Sequence, residues 1–166
     1  MNYTEQHIWE LLTTIADPEI PVLSIVDLGI VRGVTLYPQA NEQGFAGEII
    51  ITPTYSGCPA MDMIRLHINL AMTENNWPKL LVKQQLSPVW TTDWMTENGK
   101  KQLQAYGIAP PQGKAINETY LEDAVVPCPQ CNSTHTTLIS AFGSTSCKAL
   151  FKCDSCQEPF DYFKCH

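Results

Sequence analysis

The stretch Gly47 to Met61, GEIIITPTYSGCPAM, changes character in its middle. Its first half carries three consecutive isoleucines, which suit a strand, between Gly47 and Pro53. Its second half turns through Ser56 and Gly57 into a segment where Met61, Ile64, Ile68, Ala71 and Met72 recur at helical spacing. A strand that runs through a glycine loop into a helix, with Cys58 at the helix mouth, is the unit around which the rest of the chain is arranged.

Upstream, Val34 and Leu36 alternate with polar or small neighbours over Ile30 to Tyr37, and PQANEQG reads as the hairpin turn that joins this strand to GEIIITPT, with Ile49, Ile50 and Ile51 as core. Before it, Ile8, Leu11, Leu12 and Ile15 predict an amphipathic helix over Thr4 to Ala16, ended by Asp17-Pro18. Downstream, the helix from Pro59 to Asn75 is stopped by NNWP. KLLVKQQL follows as a third strand, and MTENGKKQLQAYG as a helix entered through Thr96 and closed by Gly107. The order helix, strand, strand, helix, strand, helix predicts an α+β domain over residues 1–107, a small mixed sheet covered by helices. Pro and Gly density then predicts a linker over 108–124, and residues 125–166 form a separate cysteine-rich module.

Ten Lys and Arg against seventeen Asp and Glu give the 166-residue chain a net charge of −7. Such a chain is repelled by polyanions unless it keeps a basic face, and the tail from Val125 carries three Lys against three acids, so nucleic acid is disfavoured as a partner. The N-terminus lacks a basic stretch followed by an apolar run, and no apolar run approaches membrane-spanning length. The expectation is a cytoplasmic protein with no membrane partner. In a reducing setting, thiols serve metals or chemistry more often than structural bridges.

Six of the seven cysteines lie at or beyond Cys128. Cys128-Pro-Gln-Cys131 is repeated in form by Cys153-Asp-Ser-Cys156, and two C-x-x-C knuckles bring four thiolates around one tetrahedral ion. A segment this short has too little core to fold without a staple, and zinc binding typically contributes roughly 10 to 16 kcal/mol to such modules. The spacing predicts a closed structural zinc ribbon, with iron in the same four-sulfur geometry as the alternative that colour would separate. Cys147 reads as a small apolar filler, Cys165 stays open, and His166 reads as solvated. Phe142, Phe151, Phe160, Tyr162 and Phe163 are expected to form the core of the module.

Cys58 reads in two ways. A thiol at a helix start lies near unpaired N–H groups and the positive end of the helix dipole, which favour the thiolate. Pro59 suits the first helical position and Gly57 permits close approach. The alternative is a buried free cysteine, a common core residue. His67 is too far along the same helix to act on Cys58 and reads as a surface histidine; Asp17 and Glu19 read as a helix stop and a solvated turn. No Ser-His-Asp set, phosphate loop or H-E-x-x-H motif is evident, which argues against a self-contained hydrolase or nucleotide enzyme.

DPEIPVLSIVDLGIVRGV followed by TPTYSGCPA resembles the signature of the iron-sulfur assembly family that includes the SufT-type proteins and the eukaryotic cytosolic targeting factors, over about residues 5–107. The continuation, PVWTTDWMTENGKKQLQAYGIAPP and then HTTLISAFGSTSCKALFKCDSCQEPFDYFKC, resembles the family of D components of bacterial phenylacetyl-CoA epoxidase systems, in which that domain is fused to a C-terminal ribbon. The resemblance implies an accessory role without catalysis of its own. The natural clients are the reductase subunit, with flavin and a [2Fe-2S] cluster, or the di-iron oxygenase subunit, and homodimers are common in the assembly family. By position, the motif acids fall on Asp17 and Glu19 and the motif thiol on Cys58, making these the candidates for handling iron or a cluster. A [2Fe-2S] cluster normally takes four cysteines, yet Cys58 is alone before Cys128, so a cluster or iron atom here would be shared and transient. Two other expectations compete: a scaffold of the assembled complex, and a redox carrier that uses the cysteine-rich tail.

Overall fold

A computed structural model describes residues 3–112 and 121–164. By contact the chain divides into two compact units, Met1–Trp90 and Thr91–His166. The boundary expected at Gly107 therefore differs from the observed division, and the third predicted helix goes with the second unit.

In the first unit, α1 (Glu5–Leu12) is opened by Thr4, whose side chain accepts the His7 N–H while the His7 ring accepts the Thr4 N–H, a reciprocal cap. The helix stops four residues short of the expected Ala16. Thr13 and Thr14 turn their hydroxyls back onto the carbonyls of Glu10 and Leu11, competing with the helical ladder, and Ile15 is nonetheless buried in the turn that follows. β1 (Val31–Leu36) pairs antiparallel with β2 (Gly47–Ile51), and β2 pairs parallel with β3 (Leu81–Gln84), which makes the three-stranded sheet mixed, as expected. The isoleucine run does not lie wholly in the core. Strand side chains alternate between faces, so Ile49 and Ile51 are fully buried and Ile50 is half-buried. Gly47 is required where it stands, because a Cβ there would lie 2.2 Å from the Thr35 carbonyl oxygen and 3.1 Å from Leu36 Cα.

α2 (Ala60–Glu74) follows the Cys58 loop and buries Ala60, Met61, Ile64, Ile68 and Met72. It ends as NNWP implies: Asn76 takes a left-handed conformation at φ 53°, and the Trp77 N–H returns to the Met72 carbonyl. Trp90 is fully buried and donates its Nε1 hydrogen to the Leu28 carbonyl at 2.9 Å, satisfying its one polar atom.

In the second unit, a 3-10 turn (Thr92–Trp94) leads to α3 (Glu97–Tyr106), capped by Thr96 and closed by Gly107 at φ 95°, as the sequence implies. The segment expected as linker begins instead with a strand, β4 (Ile108–Ala109), which pairs parallel with β7 (Pro159–Phe163) at one end of a sheet ordered β4-β7-β6-β5. Two residues carry too short a pattern to separate from the Pro-rich segment after them. Residues 113–120 of the expected linker lie outside the described residues. β6 (Lys148–Cys153) pairs antiparallel with both β5 (Thr136–Ser140) and β7. Phe151, Phe160 and Tyr162 pack together with Val126, Leu121 and Ala149, and Phe163 is buried nearby. Phe142 departs from the expected core: it is half-exposed, and the Lys164 ammonium sits 4.1 Å from its ring centroid. Among the described residues no helix is long and apolar enough to cross a membrane.

Candidate metal centre and thiol site

The two C-x-x-C knuckles are built alike, bond for bond. In the first, the Asn132 N–H returns to the Cys128 carbonyl and the Cys128 N–H donates to Ser133, each at 2.9 Å. In the second, the Gln157 N–H returns to Cys153 and the Cys153 N–H donates to Glu158, again at 2.9 Å. The residue after each second cysteine is left-handed, Asn132 at φ 60° and Gln157 at φ 67°, which folds the chain back over the sulfur pair. A 2.7 Å contact between the Ser133 and Ser155 hydroxyls ties one knuckle to the other.

The four sulfurs of Cys128, Cys131, Cys153 and Cys156 all lie within 4.8 Å of one another. Cys128 Sγ is 3.7 Å from Cys156 Sγ, and Cys131 Sγ is 3.5 Å from Cys153 Sγ. A tetrahedron with Zn–S bonds of about 2.3 Å has edges of about 3.8 Å, so the donor set fits zinc by both chemistry and spacing. Backbone N–H groups of Cys156 and Ser155 pull the Cys153 thiol down to about 6. The Glu158 N–H favours the Cys156 thiolate, but burial and the neighbouring thiols outweigh it and push Cys156 up to about 12. Four thiols this close resist shedding their protons together unless a cation takes up the charge. Cys147 is buried outside this cluster with its sulfur 3.0 Å from the Thr145 hydroxyl, consistent with a filler. Cys165 and His166 lie outside the described residues.

Cys58 stands between the exposed Gly57 and Pro59 and is itself half-buried. Gly57, at φ 79°, makes the turn that few other residues would allow, and a Cβ there would meet open space. Pro59 caps α2, and the Met61 N–H reaches the Cys58 carbonyl at 3.4 Å. The expected depression of the thiol pKa is not found. Burial pushes the Cys58 thiol above its ordinary value; the Ala60 N–H and the Tyr55 side chain pull the other way, and the charges of Glu19 and Asp17 add to the upward shift. Half-burial outweighs the helix-end donors, so the sulfur rests as a neutral thiol at neutral pH.

Glu19 and Asp17 thus lie close enough to Cys58 for their charge to act on it. Asp17 is not the solvated turn residue expected. It is buried, its Oδ1 accepts the N–H groups of Glu19 at 2.9 Å and Ile20 at 2.8 Å, and its own N–H donates to the Leu23 carbonyl. These bonds organise the turn that the two prolines enter. Among the described residues the four ribbon cysteines are brought together as a ligand cluster, whereas Asp17, Glu19 and Cys58 are not. His67 lines a cleft with Asp17, Pro18, Pro21 and Leu70. Sequence reasoning missed that cleft, because its walls come from segments about 50 positions apart in the chain.

A small mixed α+β unit with one half-buried thiol at a helix start, followed by a four-cysteine β-ribbon, defines a two-part class: an iron-sulfur assembly domain joined to a zinc ribbon. Residues 5–77 match the family described as iron-sulfur cluster assembly protein, and residues 112–164 match the PaaD zinc beta ribbon domain. The crystal structure of a DUF59 domain from Bacillus anthracis shares the first part, with a TM-score of 0.53 at 27% identity over 60% of this chain and 90% of that one. An Fe-S protein maturation auxiliary factor from Porphyromonas gingivalis (strain ATCC BAA-308 / W83) is 31% identical over 60% of this chain and 90% of its own length. A protein of Escherichia coli (strain K12) named for the D component of 1,2-phenylacetyl-CoA epoxidase is 54% identical over 95% of this chain and 91% of its own. The chain belongs to that family of epoxidase D components.

Proposed function

We propose that the chain is a non-catalytic accessory protein of phenylacetate catabolism that helps load iron or an iron-sulfur cluster into a component of the phenylacetyl-CoA epoxidase. The names of its relatives support the pathway and the accessory role. The observation that carries the maturation step is Cys58: one half-buried sulfur at the start of α2, in an acidic neighbourhood, with no other cysteine in its unit. A single thiol cannot hold a cluster, which normally takes four ligands. It can lend one ligand while the client supplies the others.

The raised thiol pKa suits this use. A neutral thiol does not trap metal in passing, and it becomes a ligand only when an arriving cation displaces its proton. Asp17 shapes the loop, and Glu19 offers the nearby carboxylate. The zinc ribbon is structural, and its four sulfurs leave no open coordination position. In the test, the reductase and oxygenase components are produced beside the parent protein and beside Cys58→Ala, and their iron and sulfide are measured. Clients poor in metal beside Cys58→Ala, with ribbon zinc intact, are expected. Fully loaded clients would leave a scaffolding role as the better reading.

A further inference from the structure

The longest helix, α2, is apolar on two sides. One side fills the core of the first unit. On the other, Met63, Leu66 and Leu70 are 44%, 50% and 48% exposed. Residues three and four apart share one helix face, so these side chains form one ridge, and methionine and leucine make an adaptable contact surface. Beside the ridge opens a cleft of about 490 Å³, walled by Ile15, Pro18 and Pro21 on one side and by His67 and Leu70 on the other. Grouped in one row beside a cleft, these side chains form a contiguous apolar surface rather than scattered residues, the arrangement from which contact sites are built.

Charge selects the occupant. Residues 1–90 hold four Lys and Arg against nine Asp and Glu. Glu74 lines the cleft in front of the buried Asp17, no Lys or Arg lines it, and the one cation of α2, Arg65, is already paired with Asp62 at 3.4 Å, so the open charge of this face is acidic. We propose that the ridge and cleft dock an apolar segment of a protein client that carries Lys or Arg beside its apolar side chains. The inference rests on the maturation reading of Cys58, since the ridge starts at Met63 on the helix that Cys58 precedes, so a client docked along it lies on the element that begins beside the thiol.

The experiment is titration calorimetry of the full zinc-loaded chain against purified metal-free reductase component and, separately, the oxygenase component, at low and high salt. Binding to one of them is expected. Leu66→Glu/Leu70→Glu should weaken it by about 30-fold or more, the scale of losing an interface anchor. Glu74→Lys should weaken it by roughly threefold at low salt, with the difference vanishing at high salt as surface charge is screened. Zinc content and circular dichroism equal to the parent's check that each variant folds; both leucines are half-exposed, so little core is lost. Absence of binding to both components, or affinity unchanged in Leu66→Glu/Leu70→Glu, overturns the proposal. So does a parent dimer that this variant turns into a monomer in sedimentation, which would assign the ridge to a second copy. Should affinity follow the ridge variants while clients made beside Cys58→Ala load normally, docking stands and the metal-handling reading falls.

Discussion

Asp17→Ala removes the one oxygen on which the turn after α1 is hung. Two backbone donors converge on Oδ1, from Glu19 at 2.9 Å and Ile20 at 2.8 Å. Ile20 is 1% exposed, so its N–H has no water to turn to once the oxygen is gone, and an unsatisfied buried donor costs about 1–3 kcal/mol. The Glu19 N–H is half-buried and can hydrate, so its share is the net value of one bond, about 1 kcal/mol. The total is about 3 kcal/mol. Asp17→Asn keeps an acceptor oxygen and loses only the charge, which should cost about 1 kcal/mol. With a urea slope of about 2 kcal/mol/M, the midpoints fall by about 1.5 M for Asp17→Ala and about 0.5 M for Asp17→Asn. Tryptophan fluorescence follows the transition through Trp90, which is buried in the same unit. An Asp17→Ala midpoint equal to the parent's, or an Asn variant as damaged as the Ala variant, would refute the assignment of Asp17 to holding the turn.

Because burial and the two acids raise the Cys58 pKa, its alkylation by iodoacetamide should be slower at pH 7 than that of a free cysteine and should climb about tenfold per pH unit as thiolate forms. Glu19→Gln removes one of the opposing charges, lowers that pKa and speeds the reaction at pH 7; an unchanged rate would sink the electrostatic link. The ribbon should bind one zinc per chain, which Cys128→Ser or Cys153→Ser abolishes together with the circular dichroism of the folded ribbon. Protons compete with zinc for the same four sulfurs, so zinc stays bound at neutral pH and is released in acid. A chromophoric chelator would detect the release, and zinc retained under strong acid would count against the site. Gly47→Ala drives a methyl group into the Thr35 carbonyl at 2.2 Å and should cost at least about 2 kcal/mol of stability, visible in the same urea titration.

Much of this molecule was legible in its sequence because the deciding signals are local. The hairpin, both caps of α3 and the end of α2 follow from residues within a few positions of each other. The four zinc ligands follow from a spacing repeated twice, since each knuckle closes through bonds spanning five residues or fewer. The thiol's position at the start of α2 was equally plain from Gly57, Cys58 and Pro59. Its protonation was not, because that is a balance between burial and a few donors and charges, and Asp17 and Glu19 are about 40 positions away in sequence.

Sequence alone therefore determined the order of helices and strands over residues 1–107 and which four cysteines cluster, because chain proximity sets the turns and knuckles directly. Tertiary structure decided what distant segments do to one another. It buried Asp17 and made it the keystone of a turn, gave Ile108–Ala109 to the ribbon's sheet, and turned Phe142 outward beneath a lysine. It also left a second apolar stripe on α2 facing solvent. Burial depends on what arrives from elsewhere in the chain, and no local pattern of residues carries that information.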